Sequence, residues 1–502
     1  MGNNFGKELG DALANIMPTG GTGPRDLPAP VRMEVTNVPS QPIEGQKPGT
    51  SGLRKKTKVF MGDRYLQNFV QSVFNSLDTA TVKGGTLVVS GDGRYYNDKA
   101  IQIIIKMAAA AGVSRVWCGT GGLLSTPAMS AVIRTRGRGL AGMSPFGGFI
   151  LSASHNPGGI DEDFGIKCEA GSPLSATPHL RRHTSASDEH RPQLTTPPER
   201  GRYNGENGGP APEKVTNAIY EHTTKIASYA ICNGVPDVPL SSPGTHMLGT
   251  VDKPFTVGGG HFHRVARRGA RSTSARWAEG GGRSSAQVEV FPAIEDHVGL
   301  LKQVFDFGAI RNLFARKDFS MLYDSMGGVQ GPYAKAVFVD EFGAPPSSLI
   351  NATPLPDFGG PSSAHHGHAD PNLTHAVELV AAMGLSKLGE VVQTGKPPPT
   401  FGAAADGDAD RNMIMGANFF CSPSDSLAVI VANAKCIPHY AKGLKGCARS
   451  MPTSCALDRV AQKFGIPCFE VPTGWKFFGN LMDSGTAAFP TTPTYTPFIC
   501  GE

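Results

Sequence analysis

Short apolar segments rich in β-branched residues alternate with segments of helical spacing in the first third of the chain. The segments 85–91 (GTLVVSG), 113–119 (VSRVWCG) and 147–153 (GGFILSA) are predicted strands, with predicted helices at 97–112 and 125–136 between them. A strand–helix–strand–helix–strand order packs as a mostly parallel sheet with crossover helices. The sequence therefore predicts an α/β fold, in which ligands bind beyond the carboxyl ends of the strands.

The chain has 502 residues, which corresponds to about three domains at roughly 100–200 residues each. Strand and helix patterns resume after each of two irregular segments, 170–202 and 258–286, which are rich in Ser, Pro, Gly and Arg. The predicted division is a tail at 1–45, a first α/β unit at 46–235, a second at 236–421 and a partial third at 422–502.

The charge distribution argues against a nucleic-acid partner. The formal net charge is +5, and the two irregular segments together hold the whole basic excess, with few aromatic residues for stacking on bases. No apolar run approaches the roughly 18 residues of a membrane-spanning helix. The nine cysteines form no CxxC pair and are odd in number, so we expect reduced thiols and a cytoplasmic location.

The strongest chemical pattern is AADGDADRN at 404–412, where Asp406, Asp408 and Asp410 alternate with small residues. On an extended strand this spacing places the three carboxylates on one side, where they repel one another unless a cation joins them. Hard oxygen ligands suit Mg²⁺. The alternatives are a solvated acidic turn and an EF-hand-like Ca²⁺ loop, and the EF-hand is excluded because its twelfth position is Ala417 instead of glutamate.

A second candidate lies in FILSASHNPGG, residues 149–159, where a predicted strand runs into a polar turn. Pro157 and the glycines after it favour a turn that presents the hydroxyl of Ser154 outward, beside His155, as a nucleophile. The alternative is an ordinary polar loop, and the absence of a GxSxG motif argues against a hydrolase triad. With an acidic metal site elsewhere in the chain, a phosphorylated Ser154 could supply a further metal ligand.

Two arginine-containing stretches are candidates for phosphate contacts. In PGTSGLRKK, residues 48–56, the glycine N–H groups together with Thr50, Ser51 and Arg54 can cradle a phosphate. Arg411 follows the aspartates directly and can donate two hydrogen bonds to a phosphoryl group. A Gly/Ser turn ahead of basic residues is also common without any ligand.

Two further stretches complete the candidate site. Lys167, in DFGIK, can neutralise charge or move a proton, although a surface lysine is the simpler interpretation. Thr473 and Gly474 follow a predicted strand in VPTGWKFFGNLMD, where a sugar hydroxyl could be held.

Taken together, these stretches resemble the phosphoglucomutases of the α-D-phosphohexomutase superfamily, in the eukaryotic branch that includes parafusin-like proteins. The resemblance runs from about residue 46 to 483, and its motifs follow the family order. The motifs are PGTSGLRKK, SASHNPGG, DFGIK, NGGPAP, MGGVQGPYAK, DPNLT, DGDADRNMI, ARSMPTSCALDRVA and EVPTGWKFFGNLMD. The resemblance implies similar mixed-sheet α/β domains of the phosphohexomutase type.

The resemblance also implies a function, the interconversion of glucose 1-phosphate and glucose 6-phosphate. A phosphoserine passes its phosphoryl group to the sugar, and glucose 1,6-bisphosphate is the intermediate. The implied roles are phosphoserine for Ser154, acid/base neighbours for His155 and Lys167, phosphate and sugar contacts for Thr50, Ser51, Arg54, Arg411, Thr473 and Gly474, and Mg²⁺ ligands for Ser154, Asp406, Asp408 and Asp410. The expected partner is a hexose phosphate, and we expect a monomer.

The chain also departs from the family pattern. The family's sugar-reading loop begins CGEES, and this chain ends in CGE at 500–502, so the third domain is expected to be incomplete and the fourth absent. The two irregular segments have no counterpart in the pattern. Two alternatives therefore remain: a non-catalytic parafusin-like phosphoprotein in membrane traffic, and a Mg²⁺-dependent phosphatase in which water replaces the sugar acceptor.

Overall fold

In the computed structural model, which describes residues 32–49, 52–137, 143–170, 209–211, 213–251, 284–482 and 498–502, the strands form four sheets. The strands are β1 (Arg32–Met33), β2 (Thr36–Pro39), β3 (Leu53–Lys56), β4 (Thr86–Gly91), β5 (Arg115–Gly119), β6 (Pro145–Leu151), β7 (Asp163–Ala170), β8 (Ser228–Ile231), β9 (Gly244–Val251), β10 (Ser284–Phe291), β11 (Met321–Asp324), β12 (Leu349–Ile350), β13 (Phe401–Ala405), β14 (Asn412–Gly416), β15 (Phe419–Cys421), β16 (Gly446–Ser450), β17 (Cys468–Val471) and β18 (Phe498–Gly501).

Helices pack against these sheets. The α-helices are α1 (Thr57–Phe60), α2 (Tyr65–Ser76), α3 (Thr79–Val82), α4 (Asn97–Ala110), α5 (Thr126–Thr135), α6 (Glu213–Thr223), α7 (Ala293–Val304), α8 (Phe307–Phe314), α9 (Gly331–Ala334), α10 (Val377–Ala382), α11 (Pro423–Ala432), α12 (Ala456–Phe464) and α13 (Lys476–Met482). A π-helix, Lys335–Glu341, continues α9. None of the helices in the described ranges combines the length and apolar character needed to cross a bilayer.

The largest sheet has eight strands in the order β1-β9-β10-β5-β4-β6-β7-β3. Its centre, β10-β5-β4-β6, is parallel, and β9 and β7 run antiparallel to their inner neighbours. Strands β4 and β6 are buried along their whole length, as expected where helices cover both faces of a sheet. The predicted parallel core is therefore present, and antiparallel strands extend it on both sides.

Helix α4 shows why the sequence packs this way. Its residues Ile101, Ile104, Ile105 and Ala108 repeat at helical spacing and are at most 1% exposed in the main core. The resulting apolar stripe faces the sheet, and this burial stabilises the crossover between β4 and β5.

The first sheet extends past residue 235, the predicted end of the first unit, because β9 and β10 belong to it. Strand β10 begins inside the segment 258–286 that the sequence marks as irregular. Its apolar side chains Val288 and Val290 alternate with polar residues and are 0% and 2% exposed. This two-residue period was a usable strand signal, but it directly follows a segment rich in Arg and Gly.

Two smaller sheets follow along the chain. One has the order β12-β11-β13-β14-β15, with β12, β11 and β13 parallel and the β13-β14-β15 pairs antiparallel. The other, β17-β16-β18, is parallel throughout. The observed architecture is thus a multi-domain α/β fold with mixed sheets, in agreement with the predicted fold class.

Candidate functional site

The carboxyl ends of three neighbouring parallel strands, β4, β5 and β6, lie side by side in the first sheet. The chain after β4 carries Asp92 and Arg94, the chain after β5 leads into helix α5, and the chain after β6 carries 152–154. Helix α5 begins here because Ser125 caps its N-terminus, accepting a hydrogen bond from the helix backbone at 3.3 Å, and a proline lies in its first turn. These three connections form one wall of the candidate site.

Ser154 lies on a tight turn with φ at +58°, a left-handed conformation that is uncommon outside glycine and is typical of strained functional loops. Its N–H donates to Ser152 Oγ at 2.7 Å. Its Oγ donates to Asp406 Oδ2 at 2.8 Å and lies 3.4 Å from Asp410 Oδ1. These two contacts direct the hydroxyl at the aspartates, and the residue is only 1% exposed. From the sequence we expected the hydroxyl to point outward.

Residues 406–411 form the acidic turn between β13 and β14. The N–H groups of Asp410 and Arg411 both donate to Asp406 Oδ1 at 3.0 Å and close the turn around that carboxylate. One oxygen from each of the three aspartates lies within 4.8 Å of the others. The three aspartates thus lie on a turn and not on an extended strand, where alternate residues are about 7 Å apart.

Asp408 is the most constrained carboxylate of the turn. It is 0% exposed, and its Oδ2 accepts hydrogen bonds from Thr126 Oγ1 at 2.9 Å, Ser152 Oγ at 2.7 Å and Lys167 Nζ at 2.6 Å. Its Oδ1 is buried and has no hydrogen-bond partner. A buried carboxylate oxygen without a donor carries a large desolvation cost unless a cation satisfies it. The acidic turn therefore has the donor chemistry and the open ligand atom that a divalent cation needs.

The charges of the turn are strongly coupled to Lys167. Burial opposes ionisation of Asp408, but the Lys167 ammonium and its hydrogen bonds outweigh burial and lower the pKa of Asp408 far below its usual value. Burial and the charges of Asp408 and Asp410 raise the pKa of Asp406 well above its usual value. Lys167 also lies 3.1 Å from Asp410 Oδ2. One lysine thus neutralises part of the triad, and a residual repulsion remains that a cation would relieve.

Three more predicted residues, His155, Arg54 and Arg411, lie around this cluster. His155 is half-buried, its Nδ1 has no hydrogen-bond partner, and burial and the charges of Arg411 and Arg54 lower its pKa. Arg54 lies on β3 with a buried, unpartnered Nε, and burial lowers its pKa, although Asp408 and Asp410 act in the opposite direction. Both arginine side chains thus supply positive charge near the acidic turn.

Of the remaining predicted contacts, Thr473 and Gly474 lie in the described part of the chain. Thr50 and Ser51 lie outside the described residues. Thr473 is exposed, and the N–H of Gly474 donates to Glu502 Oε2 at 2.7 Å. Within the described part of the chain, neither Thr473 nor Gly474 is a hydrogen-bond partner of Ser154 or the three aspartates.

Sequence reasoning missed three residues that support the site: Thr126, Ser152 and Arg94. Thr126 and Ser152 both donate to Asp408, and Arg94 donates to the carbonyl of Ser154 at 2.8 Å. Arg94 and Thr126 follow the ends of predicted parallel strands and Ser152 lies near the end of another, so their position along the chain was a usable signal. Their partners could not be foreseen, because 282 residues separate Thr126 from Asp408.

Glu169, on β7, is a buried titratable group outside the acidic turn. It lines a small cavity, open in part to solvent, together with Phe74, Val215 and Ile219. Neither carboxylate oxygen has a hydrogen-bond partner, and burial raises the pKa of Glu169 to about 8, although Lys167 acts in the opposite direction.

We expect Glu169→Gln to remove a pH dependence of stability. A raised carboxyl pKa means that the folded chain binds this proton more tightly than the unfolded chain, so stability falls as the pH rises from about 5 to 8. The free energy of unfolding of the wild type is expected to fall by about 3 kcal/mol over this range. The Glu169→Gln variant lacks this decrease, because an amide does not titrate. Urea unfolding at pH 5 and pH 8 measures the difference. The exposed Glu221→Gln serves as a control, and equal pH slopes in wild type and Glu169→Gln would contradict the expectation.

Two family models match the chain. The model described as "Phosphoglucomutase/phosphomannomutase, alpha/beta/alpha domain I" matches residues 45–189. The model for alpha/beta/alpha domain III of the same family matches residues 423–490.

Curated relatives match over most of the chain. "Probable phosphoglucomutase, cytoplasmic 2" of Arabidopsis thaliana is 50% identical over 473 residues, covering 94% of this chain and 66% of that protein. "Phosphoglucomutase, cytoplasmic" of Solanum tuberosum is 50% identical over 470 residues, with coverages of 93% and 66%. The chain therefore spans 66% of the length of these relatives.

A solved structure supports the same relationship. The open form of the exocytosis-sensitive phosphoprotein pp63/parafusin (phosphoglucomutase) from Paramecium superposes with a TM-score of 0.71 at 41% sequence identity. The match covers 91% of this chain and 67% of that chain.

Proposed function

Because the chain belongs to the phosphoglucomutase/phosphomannomutase family, we propose that it interconverts glucose 1-phosphate and glucose 6-phosphate through a phosphorylated Ser154. The observation that carries the proposal is the hydrogen bond from Ser154 Oγ to Asp406 Oδ2 at 2.8 Å, across 252 residues of sequence. It joins a hydroxyl nucleophile to a carboxylate triad, the combination that phosphoryl transfer requires.

The proposed reaction has two balanced half-steps. In the first, the bond between phosphorus and Ser154 Oγ breaks, phosphorus bonds to a sugar hydroxyl oxygen, and the hydroxyl proton passes to a base of the site. In the second, Ser154 Oγ takes the other phosphoryl group of glucose 1,6-bisphosphate, and the released sugar oxygen regains a proton. His155 is the proposed acid/base group, because its buried Nδ1 has no hydrogen-bond partner and the residue lies beside Ser154 in the same loop.

Mg²⁺ is the proposed metal, with Asp406, Asp408, Asp410 and the Ser154 phosphate as its ligands. When bound, it supplies Lewis-acid charge stabilisation to the transferring phosphoryl group. Lys167 donates hydrogen bonds to Asp408 and Asp410, and Thr126 and Ser152 fix the orientation of Asp408, so that its Oδ1 stays free for the metal.

The substrate contacts are proposed from the sequence motifs. Arg54 and Arg411 would pair with phosphate oxygens, because they are the arginines whose charge reaches His155 and the acidic turn. The proposed further contacts are Thr50, Ser51, Thr473 and Gly474. We propose a cytoplasmic monomer, the compartment following the names of the plant relatives.

The purified chain should be assayed with glucose 1-phosphate, Mg²⁺ and catalytic glucose 1,6-bisphosphate, with phosphorus NMR following every product. Formation of glucose 6-phosphate without inorganic phosphate is the expected result. Release of inorganic phosphate in place of isomerisation would identify a phosphatase. A folded chain that converts nothing would favour the non-catalytic phosphoprotein.

A further inference from the structure

Phe358 occupies the junction between the loops of the first sheet and the acidic turn. It is 0% exposed, and its φ is +53°, a left-handed conformation that a bulky residue adopts only where its surroundings impose it. The segment that carries it is tied to the loop after β4, because the N–H of Tyr95 donates to the carbonyl of Pro356 at 2.7 Å.

The ring of Phe358 covers the guanidinium of Arg94, whose central carbon lies 5.1 Å from the ring centroid. Arg94 is itself 1% exposed, and its Nε and Nη2 both lie 2.9 Å from Asp92 Oδ2. Its two remaining edges donate to the carbonyls of Ser154 and Asp163, each at 2.8 Å. The planar cation is thus bonded at its edges to the Ser154 loop and is packed on its face by an aromatic ring, a favourable contact in a desolvated site.

The same ring touches both functional loops, and two glycines allow this close approach. A Cβ added to Gly407, in the acidic turn, would lie 2.8 Å from Phe358 Cζ and 2.9 Å from the carbonyl oxygen of Ser154. A Cβ added to Gly158, in the Ser154 loop, would lie 2.9 Å from the carbonyl oxygen of Pro356 and 3.2 Å from Phe358 Cδ2. The phenylalanine side chain therefore fills the space that separates the two loops.

We propose that Phe358 is a positioning residue that fixes the acidic turn against the Ser154 loop, acting through its contacts with Arg94 and Gly407. It sets the arrangement of Ser154 Oγ and the three carboxylates, and with it the metal affinity of the turn and the rate at which Ser154 accepts a phosphoryl group. The effect on phosphoryl uptake rests on the proposed function, whereas the effect on metal affinity depends only on the geometry of the site.

Phe358→Leu tests this role, because it keeps much of the apolar volume but removes the aromatic face and the contact at Cζ. We expect the Kd of the full chain for Mn²⁺, measured by electron paramagnetic resonance, to rise about 10-fold, and phosphoryl uptake at Ser154 to slow about 10- to 100-fold. Phe74→Leu is the matched control, since Phe74 is likewise buried, at 1% exposed, but packs against Phe149, away from the acidic turn. The control should lower the melting temperature and leave the Mn²⁺ Kd unchanged.

Arg94→Lys provides a second route if Phe358→Leu does not fold. Lysine keeps the charge but carries all its donors on one nitrogen and cannot reproduce the planar fork of Arg94, so the Mn²⁺ Kd should rise by a similar factor. The variant that combines both substitutions should have a Mn²⁺ Kd no higher than that of the weaker-binding single variant, because both residues act on the same loop. Equal Mn²⁺ Kd values for Phe358→Leu and Phe74→Leu, or additive effects in the double variant, would overturn the proposal. A wild-type chain that takes up no phosphoryl group refutes the proposed function alone, and the Mn²⁺ comparison still decides the role of Phe358.

Discussion

Replacing Ser154 with alanine is expected to abolish phosphoryl uptake from glucose 1,6-bisphosphate and to lower the isomerisation rate by ~10⁴-fold or more, as for removal of other catalytic nucleophiles. In the proposed reaction, Ser154 Oγ gives up the phosphoryl group in the first half-step and accepts one in the second. Stability should change little, since a small side chain is shortened by one atom.

Radiolabelled glucose 1,6-bisphosphate followed by peptide mass spectrometry measures the uptake and locates the phosphoryl group. Ser72→Ala is the matched control: Ser72 is another fully buried serine, on helix α2, whose hydroxyl donates only to the carbonyl of Asn68. Label on Ser154 in wild type and in Ser72→Ala, with none in Ser154→Ala, is the expected pattern. Undiminished labelling of the Ser154→Ala chain would contradict it.

The second large effect is expected for Asp408→Asn, which should weaken binding of Mg²⁺ or Mn²⁺ by ~100-fold or more. The substitution removes one of the three carboxylates proposed as ligands, and ligand charge count is a main determinant of affinity for hard cations. It also leaves the buried Lys167 with Asp410 alone, at 3.1 Å, and the loss of a partner from a buried ion pair costs about 3 kcal/mol of stability. Isothermal titration with Mn²⁺ and urea unfolding measure the two effects separately.

A double variant separates these two causes. Adding Lys167→Met to Asp408→Asn removes the uncompensated positive charge, so much of the lost stability should return while metal affinity stays low. Asp161→Asn is the control, because Asp161 is an exposed aspartate that pairs with Lys58 at the surface. This variant keeps the three aspartates of the acidic turn and should bind Mn²⁺ as the wild type does. Wild-type metal affinity in Asp408→Asn would show that the acidic turn is not the metal site.

The strand and helix pattern of the first unit could be predicted from the sequence because it is a local property. Apolar residues at helical spacing mark α4, and short β-branched runs mark β4 and β5, so periodicity alone indicates the elements and their parallel order. Strand β10 was missed, although its apolar residues alternate, because it directly follows a segment rich in Arg and Gly. Its position beside β5 depends on pairing across about 170 residues, which local periodicity does not indicate.

The candidate site divides in the same way. The sequence by itself determined its chemistry: three aspartates at alternate positions, and a serine on a turn after a buried strand, identify the residue types and their local order. Tertiary structure decided that Ser154 Oγ meets Asp406, that Lys167 neutralises Asp408, and that Phe358 lies between the two loops. The physical reason is that these contacts join residues of separate sheets and of the segments between strands, and their distances depend on how the sheets pack, which no local periodicity encodes.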